Sequence, residues 1–231
     1  MNILRRVACE AGSLGRAVFA LPLAPLCVIC GGSLAACRRW ICSRCALSVA
    51  QNARPRWRRV GLAGGGQLRI WYALEYTPAA SALIREMKYA DKPGLGDVLA
   101  ALVWTVVASE MTCEAAVVPV PLHPARRRER GYNQSEVLGR KLARLAGSPV
   151  FPRALRRTRN TSAQASLDRQ GRLKNVVRSF RTWEVSGIGP RRVMLVDDVI
   201  TTGSTLRECA EALRDCGLED VQACTVASRD L

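Results

Sequence analysis

Residues 193–227, VMLVDDVITTGSTLRECAEALRDCGLEDVQACTVA, limit the folds open to this chain more than any other stretch. VMLV is a short apolar run of the kind that forms a buried strand. GSTLRECAEALRDCG follows with Leu206, Ala210 and Leu213 at helical spacing, and VQACTVA is a second strand-like run. A strand, a crossover helix and a strand make a parallel pair, so the expected class is α/β.

Earlier segments fit that alternation. LRIWYAL from Leu68 reads as a strand, and TPAASALIREMKY as a helix with Thr77 as N-cap and Pro78 in its first turn. VLAALVWTVVA is apolar nearly all round, the pattern of a buried helix. VVPVP (Val117–Pro121) is a short strand, and NQSEVLGRKLARLAG a helix with Asn133 and Glu136 as a capping box and Gly147 as its stop. Residues 51–66, QNARPRWRRVGLAGGG, have the Pro, Arg and Gly content of a linker or long loop. The expected organisation is an N-terminal module over 1–50, a linker over 51–66 and an α/β domain over 67–231.

Two adjacent carboxylates running into a loop of threonines need a ligand that suits both. In an open parallel sheet, ligands bind beyond the carboxyl ends of the strands, where Asp197 and Asp198 lie. Thr201, Thr202, Gly203, Ser204 and Thr205 then open a helix. Its first N–H groups favour an anion, Gly203 allows close approach, and the hydroxyls add donors. Carboxylates repel phosphate but accept from hydroxyls, or hold a hydrated cation. A sugar phosphate satisfies both halves, with Mg²⁺ nearby through water. An ordinary polar βα turn is the alternative.

LVDDVITTGST resembles the signature of the type I phosphoribosyltransferases, which bind phosphoribosyl pyrophosphate (PRPP). The resemblance implies a parallel sheet flanked by helices. It also implies that Asp197 and Asp198 contact the ribose hydroxyls, while Thr201–Thr205 hold the 5-phosphate. Thr201 stands where purine-salvage members usually carry an aspartate that handles a base proton, so the loop says more about what is bound than about what is made.

The formal charge of +16 is concentrated: residues 121–192 carry 18 Lys/Arg against 4 Asp/Glu. Such a field suits a phosphate-rich ligand, a nucleic acid or an acidic surface, or it is a solvated arginine-rich face. PLHPARRRERGYNQ places a basic loop after a second parallel strand, with Arg130 the first candidate for a pyrophosphate among Arg126, Arg127, Arg128 and Arg130. His123, the single histidine, sits between Leu122 and Pro124 and reads as a structural turn residue before a base. Residues 155–180 are basic and poorly periodic at their start. They read as a lid over a phosphate site, as a nucleic-acid-binding excursion, or in part as a solvated helix.

PLHPARRRERGYNQ, TSAQASL, RLKNVVRSF and IREMKYADK with its Lys88-Tyr89 pair together resemble the ComF family, over nearly the whole chain. Lys88 joins Arg130 as a pyrophosphate or lid candidate. Members are associated with natural competence, DNA uptake and use of external DNA, which implies single-stranded DNA and competence or DNA-processing proteins as partners.

Ten cysteines remain to be placed. Cys27-x-x-Cys30-Gly-Gly and Cys42-x-x-Cys45 have the form of two zinc knuckles completing a tetrahedral Zn²⁺ site in a zinc-ribbon-like module. Cys37 lies in the gap and competes as a ligand, and a redox pair or buried thiols are the alternatives. The scattered thiols read mostly as small buried hydrophobes. Arg5 and Arg6 precede AVFALPLAPLC, but two prolines interrupt that run, no A-x-A site follows, and it is too short to span a bilayer. Ile3, Leu4, Val7, Leu14, Val18 and Leu21 instead fit one face of a lead helix, and a cytoplasmic location is expected. The function expected is that of a PRPP-binding, phosphoribosyltransferase-like protein, with unknown acceptor; a non-catalytic PRPP-responsive regulator or a single-stranded-DNA-binding protein is the alternative.

Overall fold

The computed structural model describes residues 25–34, 40–89, 94–111, 114–158, 179–189 and 192–229. The expected lead helix, Cys37 and most of the basic segment 155–180 lie outside the described residues. The chain divides into two compact units, Met1–Ser48 and Val49–Leu231. Among the described residues no helix is long and apolar enough to cross a membrane.

The larger unit is built on a five-stranded sheet. Its strands are β1 (Arg56–Gly61), β2 (Gln67–Glu75), β3 (Ala116–Pro119), β6 (Val193–Ile200) and β7 (Val221–Ser228), in the order β1-β2-β7-β6-β3. β2, β7, β6 and β3 are parallel, and β1 adds an antiparallel edge. All four residues of β3 and the first four of β6 are buried, as strands covered on both faces must be. A separate two-stranded hairpin pairs β4 (Leu155–Arg157) with β5 (Phe180–Thr182).

Helices form where the apolar spacing placed them. α2 (Pro78–Tyr89) starts behind Thr77, whose hydroxyl accepts from the Ala80 N–H, and buries Leu83, Ile84 and Met87. α3 (Leu95–Val107) and α5 (Gln134–Ala146) pack on each other and against the sheet. α6 (Ser204–Arg214) buries Leu206, Cys209, Ala210 and Leu213 in a core that includes Val193, Leu195, Leu155 and Phe180. A Cβ on Gly139 would stand 3.0 Å from Pro119 Cγ, so this glycine lets α5 lie close on the β3 strand end.

Two expectations are corrected. The stretch read as a linker is largely β1 and its hairpin. Arg56, Arg58 and Val60 are half-buried while Trp57, Arg59 and Gly61 are exposed, a period-two pattern hidden because arginines occupy inner positions. The Asn133 side chain does cap α5, accepting from the Ser135 N–H. Glu136, however, turns to Arg127 and Arg140 and makes ion pairs with both. Gly147 ends that helix in the left-handed conformation, as expected.

Candidate functional site

Asp197 and Asp198 lie at the carboxyl end of β6, the central member of a parallel trio. Successive strand residues point to opposite faces, and the two carboxylates find different partners. Asp197 Oδ1 accepts from Ser135 Oγ at 2.8 Å and from the Asp198 N–H at 2.9 Å. Asp198 is buried, and its Oδ2 lies 2.8 Å from Lys88 Nζ.

The start of α5 holds the first carboxylate. Asn133, Gln134 and Ser135 are all buried, and Asn133 Nδ2 donates to the Val120 carbonyl at 3.0 Å, fixing the helix entrance to the end of β3. Lys88 is fixed from the other direction, because the Tyr132 hydroxyl donates to the Met87 carbonyl one residue before it. Burial, then the neighbouring Asp198 charge, push the Asp197 carboxyl up to about 7 against the opposing hydrogen bonds from Ser135 and the Asp198 N–H. Asp197 is therefore poised to change charge near neutral pH.

Thr201–Gly203 form the turn between β6 and α6, and Ser204 begins the helix. Thr202 Oγ1 donates to Ser204 Oγ at 3.1 Å, and its oxygen also faces the Ser204 N–H at 3.4 Å. Gly203 has φ +76°, and a Cβ there would meet Val60 Cγ2 at 2.7 Å. The glycine is thus demanded by the turn and by contact with β1, whatever a ligand adds. Gly203→Ala should cost about 2 kcal/mol or more of unfolding free energy, from left-handed strain plus overpacking. Chemical denaturation checks this, and an unchanged midpoint would refute it.

Arg130 and Lys88 line one cleft of about 290 Å³ together with Tyr89 and Arg126. The Arg130 guanidinium lies 4.9 Å from the Tyr89 ring centre and donates to the Gln134 side chain. Arg130 ends α4 (Pro124–Arg130), whose N-cap is His123; its Nδ1 accepts from the Ala125 N–H at 3.3 Å. His123 is therefore a turn residue, as its neighbours implied. Arg58, within the supposed linker, donates to the Thr201 carbonyl at 3.4 Å and to Ser228 Oγ at 3.1 Å, so β1 also braces the loop. Ser135 and Arg58 are the site neighbours that sequence reasoning missed. A seryl N2 position beside a strand end was the available signal for Ser135; nothing comparable marked Arg58.

The four paired cysteines converge in a second site. The Sγ atoms of Cys27, Cys30, Cys42 and Cys45 all lie within 4.8 Å of one another, and Cys30 and Cys42 are 3.8 Å apart. Tetrahedral zinc–thiolate bonds of about 2.3 Å place sulfurs about 3.8 Å apart, so the set fits zinc. The first pair forms the expected knuckle: Gly31 has φ +69° and its N–H donates to the Cys27 carbonyl at 2.8 Å. The second pair does not. Cys42 immediately precedes α1 (Ser43–Asn52) and Cys45 lies in its first turn. A helix start brings both sulfurs to one side and favours thiolates.

Without a cation the four thiols cannot all ionise. Burial opposes ionisation of Cys27, but the backbone N–H groups of Cys30 and Cys42 bring it down to about 6. Burial, reinforced by the other three cysteines, pushes Cys45 up to about 12. A dication would reconcile them. Elsewhere Cys209 and Cys224 are buried, with thiols raised by burial, while Cys216 is exposed.

Comparison with known proteins matches the geometry. The phosphoribosyl transferase domain family covers residues 161–230. Competence protein F of Haemophilus influenzae is 31% identical over 204 residues, spanning 86% of this chain and 82% of that protein. DNA utilization protein YhgH of Salmonella typhimurium is 30% identical over 203 residues, 85% of this chain and 87% of its own. Competence protein ComFC of Streptococcus pneumoniae is 33% identical over 110 residues, 47% of this chain and 46% of its own. With a phosphoribosyl transferase domain matched and full-length relatives aligned over most of both chains, this chain belongs to the ComF family.

Proposed function

We propose that this protein binds PRPP with Mg²⁺ at the end of β6 and serves natural competence or the use of external DNA. The observation that carries the reading is the placement of Asp197 and Asp198 at the carboxyl end of a central parallel strand, just ahead of the turn that leads into α6 at Ser204. The ribose hydroxyls donate to the two carboxylates. The 5-phosphate accepts from the Thr201–Thr205 hydroxyls and from N–H groups at the start of α6. Lys88 exchanges Asp198 for a pyrophosphate oxygen, and Arg130 lies across the same cleft. Asp197 and Asp198 are the residues that would hold Mg²⁺, which would supply charge neutralisation of the pyrophosphate.

If transfer follows, the C1–pyrophosphate bond breaks and an acceptor bonds to C1, with Lys88 and Arg130 stabilising the departing diphosphate. Thr201 favours a second reading, in which PRPP is a signal and turnover is absent. Pyrophosphate release against a panel of bases and amines separates the two. The names of the relatives support the competence and DNA-utilisation context, and the basic segment supports single-stranded DNA as a partner. Steep loss of strand binding between low and moderate salt is expected of such a partner.

Titration calorimetry tests the binding claim. Asp197→Asn and Asp198→Asn should each weaken PRPP·Mg²⁺ binding by tenfold or more, roughly the 1.5–3 kcal/mol of a charged hydrogen bond. Equal affinity in the variants would end the assignment. The reading also has a pH signature. Asp197 ionises near pH 7, so binding through its carboxylate should tighten about tenfold from pH 6 to pH 8 and level off above. Ser135→Ala removes a hydrogen bond that favours the carboxylate, so its midpoint should move upward, whereas Asp197→Asn should flatten that part of the profile.

A further inference from the structure

The β4–β5 hairpin carries a pairing that folding alone disfavours. Arg156 stands directly opposite Arg181, and like charges facing each other across an antiparallel pair are destabilising. The hairpin is held by burial of Leu155 and Phe180 in the core, so its two arginines are kept together by packing that does not involve them. Next along, Arg157 is half-buried with its guanidinium 5.3 Å from the Phe180 ring centre, and burial works against its charge.

Two adjoining cavities flank this hairpin. One, about 470 Å³, is lined by Arg156, Arg157, Arg181, Thr158 and Trp183. The other, about 680 Å³, shares Arg156, Arg157 and Trp183 and adds Arg128 and Asn133. Trp183 is 62% exposed although it is a large aromatic ring, and Arg156 lies 5.2 Å from its centre. Arg127 and Arg153 at the rim are neutralised by Glu136 and Glu184. Arg128, Arg156 and Arg181 make no ion pair among the described residues. A stacking ring beside an unneutralised arginine pair is complementary to a planar base joined to a phosphate. The volume suits a single nucleotide.

We propose that the Arg156–Arg181 pair and Trp183 form a nucleotide-binding pocket, with the phosphate between the two guanidinium groups and the base against the indole. An anion there converts a repulsive cross-strand pair into a bidentate clamp. The pocket reaches Asn133, the N-cap of α5, but neither Asp197 nor Asp198 lines it. The site is distinct from the PRPP loop and stands whether or not PRPP binds.

The test uses the full chain without PRPP or Mg²⁺, with adenosine 5′-monophosphate, adenosine and a short single-stranded oligonucleotide as probes in calorimetry. The monophosphate should bind about tenfold or more tightly than adenosine, which lacks the charged group. Trp183→Ala should weaken it about tenfold through lost stacking. Arg181→Gln should weaken it similarly while raising the thermal midpoint slightly, because it removes the cross-strand repulsion; misfolding then cannot explain the loss. Asp197→Asn should leave this binding unchanged. An oligonucleotide bound more tightly than the monophosphate, with the same losses in the two variants, supports the pocket and identifies a strand as the source of its nucleotide. Unchanged binding of both phosphate probes in Trp183→Ala and Arg181→Gln overturns the inference.

Discussion

Asp197→Asn should be more stable than wild type at pH 8 while binding PRPP more weakly. The folded protein raises this carboxyl from its ordinary 3.8 to about 7, chiefly by burial. A raised folded pKa means that the folded state holds the proton more tightly than the unfolded chain. The stabilising effect of that proton is complete below about pH 4 and is lost as pH rises through 7. Above pH 7 the ionised Asp197 therefore costs up to about 4 kcal/mol, at 1.36 kcal/mol per unit. Asparagine keeps an oxygen to accept from Ser135 and from the Asp198 N–H but carries no charge beside Asp198. Thermal unfolding at pH 5 and pH 8 reads the difference: the gain over wild type should be clearly larger at pH 8. Equal gains at both pH values, or none, would show that the buried charge is not strained. A residue that destabilises its own fold at working pH is the kind of feature maintained for binding.

The βαβ unit was legible because its signals are local: a continuous apolar run in VMLV, helical spacing in TLRECAEAL, and two carboxylates near the strand end. The position of the loop was legible for the same reason, since β6, the turn and the start of α6 are contiguous. What was not legible depends on contacts between distant segments. Ser135 is 62 residues from Asp197 and reads locally as one more polar residue at a helix start. Arg58 reads as linker because two of the three inner positions of β1, Arg56 and Arg58, are arginine and only Val60 is apolar. The β4–β5 hairpin is only three residues per strand, shorter than any period can announce, and its Arg156–Arg181 opposition exists only once the register is known. Gly203 reads in the sequence as room for a phosphate, yet the nearest neighbour of its missing Cβ is Val60.

Replacing Cys45 should produce the largest single loss in the molecule, and it should stay local. The N-terminal unit has few buried apolar side chains among its described residues, Cys27, Leu34, Ile41 and Cys45, which is too small a core to stand without a staple. Structural zinc in modules of this kind contributes about 10–16 kcal/mol of apparent binding energy that doubles as folding energy. Metal analysis should find one zinc per chain. Cys45→Ser or a strong chelator should remove it, with hydrogen-exchange protection lost over residues 40–48, while the main thermal transition of Val49–Leu231 persists. Cys30→Ser should be milder, because Cys30 is exposed and water can take its place on the metal, whereas Cys45 is buried and its replacement leaves a hydroxyl facing three thiolates. A redox pair predicts the reverse pattern: no stoichiometric zinc, a reversible loss of two free thiols on oxidation, and tolerance of Cys45→Ser with Cys27 and Cys30 intact. The convergence of all four sulfurs within 4.8 Å argues against that outcome, since a redox pair needs only two of them and a dication can hold all four as thiolates.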